Sequence, residues 1–426
     1  VKRGLVFLFL AAALAARAAD SPERVFTLAQ SVQTALQNNQ ALLSAREGVR
    51  LAKQRIEEAH ALVYPSLALN LNASRYLSVD RTVLTSEFGS TILRPSMNGE
   101  ADNFYSGRLS LRQVLYNGGR TLTNTRLAQA NLAQSRIREE EILRQVMVDA
   151  TTAFYDELLA GRQLALSEAA AQDLRSLAAA IPARDDTARV ILEGIQARLR
   201  RDQAARRRQE EKASLAFSST LGIELYTRVG LEGALESRPI QVDLAKLLAR
   251  AQEARLEIRG TDYQREMDRL AVNLTEAERY PVVALMAGYE MSDRRFPLET
   301  NYWNTTLNVG LPLFDGFASR ARIRQSRLIG NQSRIERAAV EDRIAREVRE
   351  AHGDLLYWQD EADARRADLE RLEAMYAKLP AGRILAQKAE ARLELLLTAQ
   401  AYWESVHGHR LAQARLEKAV GMVLDR

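Results

Sequence analysis

Val114-Leu115-Tyr116-Asn117-Gly118-Gly119-Arg120 and Gly310-Leu311-Pro312-Leu313-Phe314-Asp315-Gly316 are the two places where the chain changes its periodicity. Before the first, Gly107, Leu109 and Leu111 alternate with Ser106, Arg108 and Ser110. Before the second, Thr305, Leu307, Val309 and Leu311 alternate with Asn304, Thr306, Asn308 and Gly310. A period of two with one apolar face and one small or polar face predicts a strand. Beyond each turn, residues 121–180 and 318–378 run without a proline. At 1.5 Å per residue, 60 residues of helix span about 90 Å. Asn117, Gly118 and Gly119, and Asp315 and Gly316, are therefore the candidate strand-to-helix turns, where glycine supplies the conformations a sharp reversal needs.

Working outward, each strand–turn–helix unit has a matching partner upstream. Tyr64-Pro65 recurs as Tyr280-Pro281, and Leu28-Ala29 as Leu244-Ala245, both at an offset of 216. The turns recur at an offset of 198, and Leu221-Gly222 recurs as Val420-Gly421 at 199. The 18-residue change in offset falls between the Tyr-Pro and the turn, so the first half carries a longer loop there, where insertions are tolerated. Residues 27–62 and 243–279 are expected to be helices, opened by Thr27 and Asp243 as N-caps and stopped by Pro65 and Pro281. After these prolines come two more alternating segments. Leu67, Leu69, Leu71 and Ala73 form one apolar face, and Val283, Leu285, Ala287 and Tyr289 the other.

The expected organisation is a signal peptide at 1–18, a first repeat at 19–222, a linker at 223–242, a second repeat at 243–421 and a tail at 422–426. Strands are expected at about 65–77, 103–116, 281–291 and 302–314, by the alternation and turn rules. Pro182 and Pro380 break the long helices. Leu127, Ala130, Ala133 and Ile137, and Leu411, Ala414, Ala419 and Val420, are the expected helix–helix seams.

Composition agrees with long helices. The 426 residues include 66 alanines and 61 leucines but only 21 glycines and 9 prolines. Lys plus Arg is 60 against 55 Asp plus Glu. Lys2 and Arg3, an apolar run and Ala16-Arg17-Ala18 read as a signal peptide, and without it the net charge falls from +5 to +2. A nucleic-acid partner is then not expected. Arg206-Arg207-Arg208 is read instead as a solvated or interhelical paired face, because Asp202, Glu210 and Glu211 balance it. The chain has no cysteine. No disulfide, thiolate metal site, cysteine nucleophile or N-terminal lipid anchor is expected. A mean hydropathy of −0.28 argues against a bundle of membrane-spanning helices.

Four strands cannot close a barrel, since the smallest well-filled barrels need about eight. Left open, they expose two edges and an apolar face. Three copies would supply twelve strands, an even number that suits an outer-membrane barrel, and their length suffices to cross a bilayer at a tilt. Tyr64, Tyr76, Phe104, Tyr105, Tyr116, Tyr280, Tyr289, Tyr302, Trp303 and Phe314 are the expected interfacial girdle. Ser66, Asn70, Asn72, Ser106, Arg108, Ser110, Asn304, Thr306 and Asn308 are the expected lining of a water-filled bore. The loops, roughly 77–103 and 292–301, and the helices are expected on opposite sides of the membrane.

The order helix, Tyr-Pro, strand, loop, strand, aromatic-Asn/Asp-Gly turn, long helix, twice over, resembles the TolC family of outer-membrane efflux proteins. The resemblance runs from Thr27 to Gly421. It implies a mainly α fold with a small β part. Three chains would form a twelve-stranded outer-membrane β-barrel continued by a periplasmic α-helical barrel. It implies a passive exit duct for a tripartite efflux pump or type I secretion system, without a cofactor and without enzymatic activity. The partners it implies are two further copies, outer-membrane lipid, a periplasmic adaptor, and an inner-membrane transporter of the RND, ABC or MFS type. It also implies that the second helix tip carries an aspartate pair three apart. Counting back from Gly421, those positions hold Gln387 and Glu390, so one carboxylate is retained. The candidate tip residues are Gln387, Glu390 and Arg383, with Arg184, Asp185, Asp186, Arg189 and Glu193 at the first tip. Glu390 also reads as a solvated helix-end glutamate, and several of the first-tip residues as simple exposed charges. His60, His352, His407 and His409 show no chelating spacing, and no Gly-rich phosphate loop with lysine is present. A periplasmic coiled-coil adaptor or scaffold is the alternative reading, and a stand-alone porin or outer-membrane enzyme a third.

Overall fold

The computed structural model describes residues 24–77, 85–86, 89–90, 101–180, 185–225, 229–380 and 385–422. Residues 1–18, most of the 77–103 loop, Pro182, Arg184 and Arg383 lie outside the described residues. In chain order the elements are β1 (Arg24–Phe26), α1 (Leu28–Asn38), α2 (Gln40–Ala61), β2 (Ser66–Leu77), β3 (Thr85–Ser86), β4 (Gly89–Ser90), β5 (Ala101–Tyr116), α3 (Arg120–Ala179) and α4 (Asp186–Leu221). Then follow β6 (Val229–Leu231), α5 (Leu244–Ala254), α6 (Leu256–Ala277), β7 (Val282–Asp293), β8 (Thr300–Gly310), α7 (Ala318–Ala377) and α8 (Leu385–Val420). The helices pair by length: 11 residues in α1 and α5, 22 in α2 and α6, 60 in α3 and α7, 36 in α4 and α8.

Thr27 and Asp243 act as the expected N-caps. The Thr27 hydroxyl accepts from the Gln30 amide at 3.3 Å, and Gln30 answers by accepting from the Thr27 amide at 3.0 Å. The single helices expected at 27–62 and 243–279 are each broken in two. Asn39 and Arg255, 216 positions apart, both adopt extended backbone. Asn39 stops α1 because its side chain caps the next helix, accepting from Ala41 N at 3.0 Å. Arg255 stops α5 for another reason. Its buried guanidinium donates to Lys418 O at 2.9 Å and Ala419 O at 3.2 Å and meets Glu347 at 2.6 Å, so it holds the last turn of α8.

Contacts divide the chain into two units. One comprises Arg50–Gln134 and Asp262–Ile335. It holds an antiparallel sheet in the order β2-β5-β7-β8, with β2 and β8 as open edges. The pairing row Leu69–Leu109–Tyr289–Trp303 lies on one face, and the row Asn70–Arg108–Glu290–Tyr302 on the other. A bulge falls between Val114 and Tyr116. β8 ends at Gly310, short of the expected 314, because Pro312 has no amide to donate. Helical residues Ala130, Met267 and Leu270 form a small core in this unit.

The other unit comprises Val1–Val49, Ser135–Thr261 and Glu336–Arg426. Its apolar clusters include three larger ones, around Phe154 and Phe217, around Leu355 and Leu416, and around Leu174 and Leu393. Burying each such side chain stabilises by about 1.5–3 kcal/mol. Ile137, Ala419 and Val420 are buried as expected for seams, but Ala412 and Leu416 take the place expected for Leu411 and Ala414, which are half-buried. The 223–242 segment is more than a linker. Val229–Leu231 pairs in parallel with Arg24–Phe26, and Leu235 is buried against Val406.

Candidate conduction surface and helix tips

The face of the sheet that bears Asn70, Arg108, Ser110, Asn304 and Thr306 is polar, as expected for a bore lining, and it frames a groove of about 340 Å³. Pairing places Ser66, Asn72, Ser106 and Asn308 on this face as well. Its centre is a three-strand brace. Arg108 on β5 donates through Nε to Glu290 on β7 at 2.7 Å, and the Tyr302 hydroxyl on β8 donates to the same oxygen at 2.6 Å. Tyr302 therefore belongs to the polar face and not to the girdle. The sequence carried a signal for this brace, since Glu290 is an acid on the strand face that pairs opposite Arg108. The opposite face exposes Leu67, Leu69, Leu71, Leu307, Val309 and Trp303. Apolar side chains exposed on that scale mark a surface made for lipid or another chain.

The turn residues act as helix caps. Asn117 bonds to Thr121 through both its amide nitrogen, at 2.8 Å, and its carbonyl oxygen. Asp315 accepts from Ser319 N at 2.8 Å and lies 3.6 Å from Arg322. Gly118 has φ +68°, and a Cβ there would sit 2.8 Å from Tyr280 Cβ and 2.9 Å from Ala277 O. The Asn-Gly-Gly turn of the first half is thus seated on the Tyr-Pro of the second. Pro65 and Pro281 follow tightened last turns, in which Tyr64 N bonds to Ala61 O and Tyr280 N to Ala277 O.

At the first tip, Asp185 is the N-cap of α4, accepting from Ala188 N at 3.0 Å. Asp186 pairs with Arg189 at 3.8 Å on the same helix, and Glu193 is exposed. At the second, Gln387 and Glu390 are exposed one turn apart on α8. The described contacts do not bring the two groups together. The bond that does tie helices near the tips was not anticipated: Arg392 of α8 donates to Asp173 of α3 at 2.7 Å. Above it the paired reading of the arginine run holds. Arg206 meets Asp202 at 3.3 Å, Gln163 at 2.5 Å and Gln400 at 3.2 Å, joining α3, α4 and α8, while Arg207 pairs with Glu168. His407 and His409 go to different partners, Asp156 at 2.7 Å and Ser237 at 3.3 Å. Burial first, and Arg410 next, push the His409 pKa down.

The family model described as outer membrane efflux protein matches residues 31–216 and 247–381, well over half of the chain. The chain belongs to the outer membrane efflux protein family. That membership places it in the outer membrane with a periplasmic helical extension, and it sets aside the adaptor or scaffold reading. Among curated relatives, the protein CyaE of Bordetella pertussis is 26% identical over 313 residues, 70% of this chain. The match spans 63% of that protein's length. Solved structures share the fold at low identity. CusC, described in terms of transmembrane channel formation, superposes with a TM-score of 0.73 at 17% identity, covering 93% of this chain and 92% of that one. The Campylobacter jejuni outer membrane channel CmeC gives 0.73 at 13%, with 92% and 85% covered. The Vibrio cholerae outer membrane protein VceC gives 0.71 at 14%, with 93% and 97% covered.

Proposed function

We propose that this chain is the outer-membrane exit duct of a tripartite efflux pump or type I secretion system. Three copies close a twelve-stranded barrel, and their helices form the periplasmic conduit. The observation that carries this reading is the four-stranded sheet, polar on one face and apolar on the other, with β2 and β8 left as open edges. An apolar face suits lipid, but unpaired strand edges cannot persist in a bilayer. Joining β8 of one copy to β2 of the next pairs both edges.

The domain plan we propose keeps two repeats, 19–222 and 243–421, separated by the 223–242 segment. Conduction is passive and calls for no catalytic residue or cofactor. An inner-membrane transporter of the RND, ABC or MFS type supplies the energy through a periplasmic adaptor. Gating belongs to the helix tips, where Glu390, Gln387, Asp185, Asp186, Arg189 and Glu193 are exposed at or near the helix starts and the Asp173–Arg392 bond ties α3 to α8. Planar-bilayer recording of the purified protein tests this. Channels are expected, and Arg392→Ala is expected to raise their conductance several-fold. Absence of channels from both proteins contradicts the duct.

A further inference from the structure

The offset of 198 that carries α3 onto α7 places Leu355 opposite Glu157. Leu355 is fully buried in an apolar cluster. Glu157, in the corresponding place, is only 8% exposed, and its Oε2 has no hydrogen-bond partner. The duplicated helix accepts a leucine here, so its packing does not require a carboxylate. The neighbours differ in the same direction. Trp358 and Gln359 of α7 fill their surroundings: a Cβ on Gly408 would lie 2.5 Å from the indole, and Gln359 accepts from Ile240 N at 3.1 Å. Their counterparts on α3 are Ala160 and Gly161. The small residues leave a cleft of about 640 Å³ between α3, the 229–236 segment and Trp403 of α8.

Leu158, Ala165, Val229, Leu231 and Leu235 form apolar walls around Glu157. The other charged residues lining the cleft are otherwise engaged. Arg162 lies over the Trp403 ring at 4.8 Å, and Glu236 pairs with Arg238 at 3.1 Å. Glu210 of α4 adds negative charge beside Glu157. A buried anion without a partner is costly, and a cation delivered with its own apolar body removes that cost. A bare metal ion fits poorly, since hard cations need several oxygen ligands and these walls supply few. The volume is that of a small-molecule site.

The structure assigns this cleft to an organic cation: a protonated amine on an apolar body, with the ammonium on Glu157 and the body against Leu158, Leu231 and Trp403. The assignment stands within one chain and does not depend on barrel closure. Burial, and Glu210 after it, push the Glu157 pKa up to about 7, so the free cleft exchanges a proton for the amine near neutrality.

Isothermal titration of the full-length protein in detergent with phenethylamine, and with neutral 2-phenylethanol as control, tests it. One amine per chain is expected at pH 8. Affinity should fall about tenfold at pH 6, as a carboxyl with a pKa near 7 loses its charge, while Glu210, Arg162 and Glu236 set the local field. Glu157→Leu, the residue the second half uses, and Glu157→Gln should each weaken amine binding at least tenfold and leave 2-phenylethanol unchanged. Amine affinity in both variants equal to that of the parent overturns the proposal. So does absence of amine binding to the parent protein, including the case where Glu157→Leu instead splits the oligomer, which would mean that a basic side chain of a second copy occupies the cleft.

Discussion

Gly118 and Phe317 meet the same backbone demand with opposite residues. Both adopt φ +68°, a conformation that costs a side-chain-bearing residue about 1–2 kcal/mol. Phe317 offsets the cost by packing edge-on against Phe314, at 5.4 Å between centroids, with Arg320 over its ring. Gly118 has no such room, because Tyr280 and Ala277 close over it. Gly118→Ala is therefore expected to cost at least about 2 kcal/mol from strain and clash together. Thermal melts monitored by circular dichroism check this, and an unchanged midpoint contradicts it. Glu157 makes a pH prediction. Its carboxyl titrates near 4.5 when free and at about 7 when folded. A raised acid pKa destabilises the fold only where the group is ionised in either state. The penalty is absent below about pH 4.5, grows as the pH rises and is complete above about 7, reaching roughly 3 kcal/mol. Glu157→Gln should thus gain stability over the parent between pH 5 and pH 8, and parallel pH curves for the two proteins would refute this. At this scale the sequence was legible where chemistry follows position, as for Thr27, Asn117 and Asp315. It was silent where a role needs a distant partner, as for Glu157, Arg392 and Arg255.

The elements show the same division. The change from period two to period 3.6 at residues 116–120 and 310–318 is visible in the sequence because one face must be buried in each case. The breaks at Asn39 and Arg255 are not visible, because hydrophobic spacing continues through a single extended residue. The β1–β6 ribbon joins two three-residue strands about 200 positions apart, too short to carry a pattern. The alanine-rich seam of α8 falls one and two positions from the expected residues, at Ala412 and Leu416, since small residues mark a face weakly. Arg255 predicts what its break is for. Removing a buried, multiply bonded guanidinium costs about 3–5 kcal/mol. Arg255→Leu is expected to speed amide hydrogen exchange across residues 416–422 at least tenfold while leaving the sheet amides unaffected. Protection at 416–422 equal to that of the parent would show that Arg255 does not hold the end of α8.

For the whole molecule, the arithmetic of strands decides between a chain that is complete and one that needs copies. The repeat was legible because both halves keep the Tyr-Pro and the aromatic-Asn/Asp-Gly turn in the same order, with an 18-residue longer loop between them in the first. The brace of Arg108, Glu290 and Tyr302 was only half legible, since strand order β2-β5-β7-β8 is a long-range fact. The edges test the central claim most directly. The chain has no cysteine, so a double variant with Asn70→Cys on β2 and Asn304→Cys on β8 can be linked by a bis-maleimide without background. Linked in the membrane, it should run on a denaturing gel as a ladder that ends at three copies, with each single variant remaining monomeric. A double variant that stays monomeric, or a ladder that continues past three, would contradict closure of the barrel by three chains.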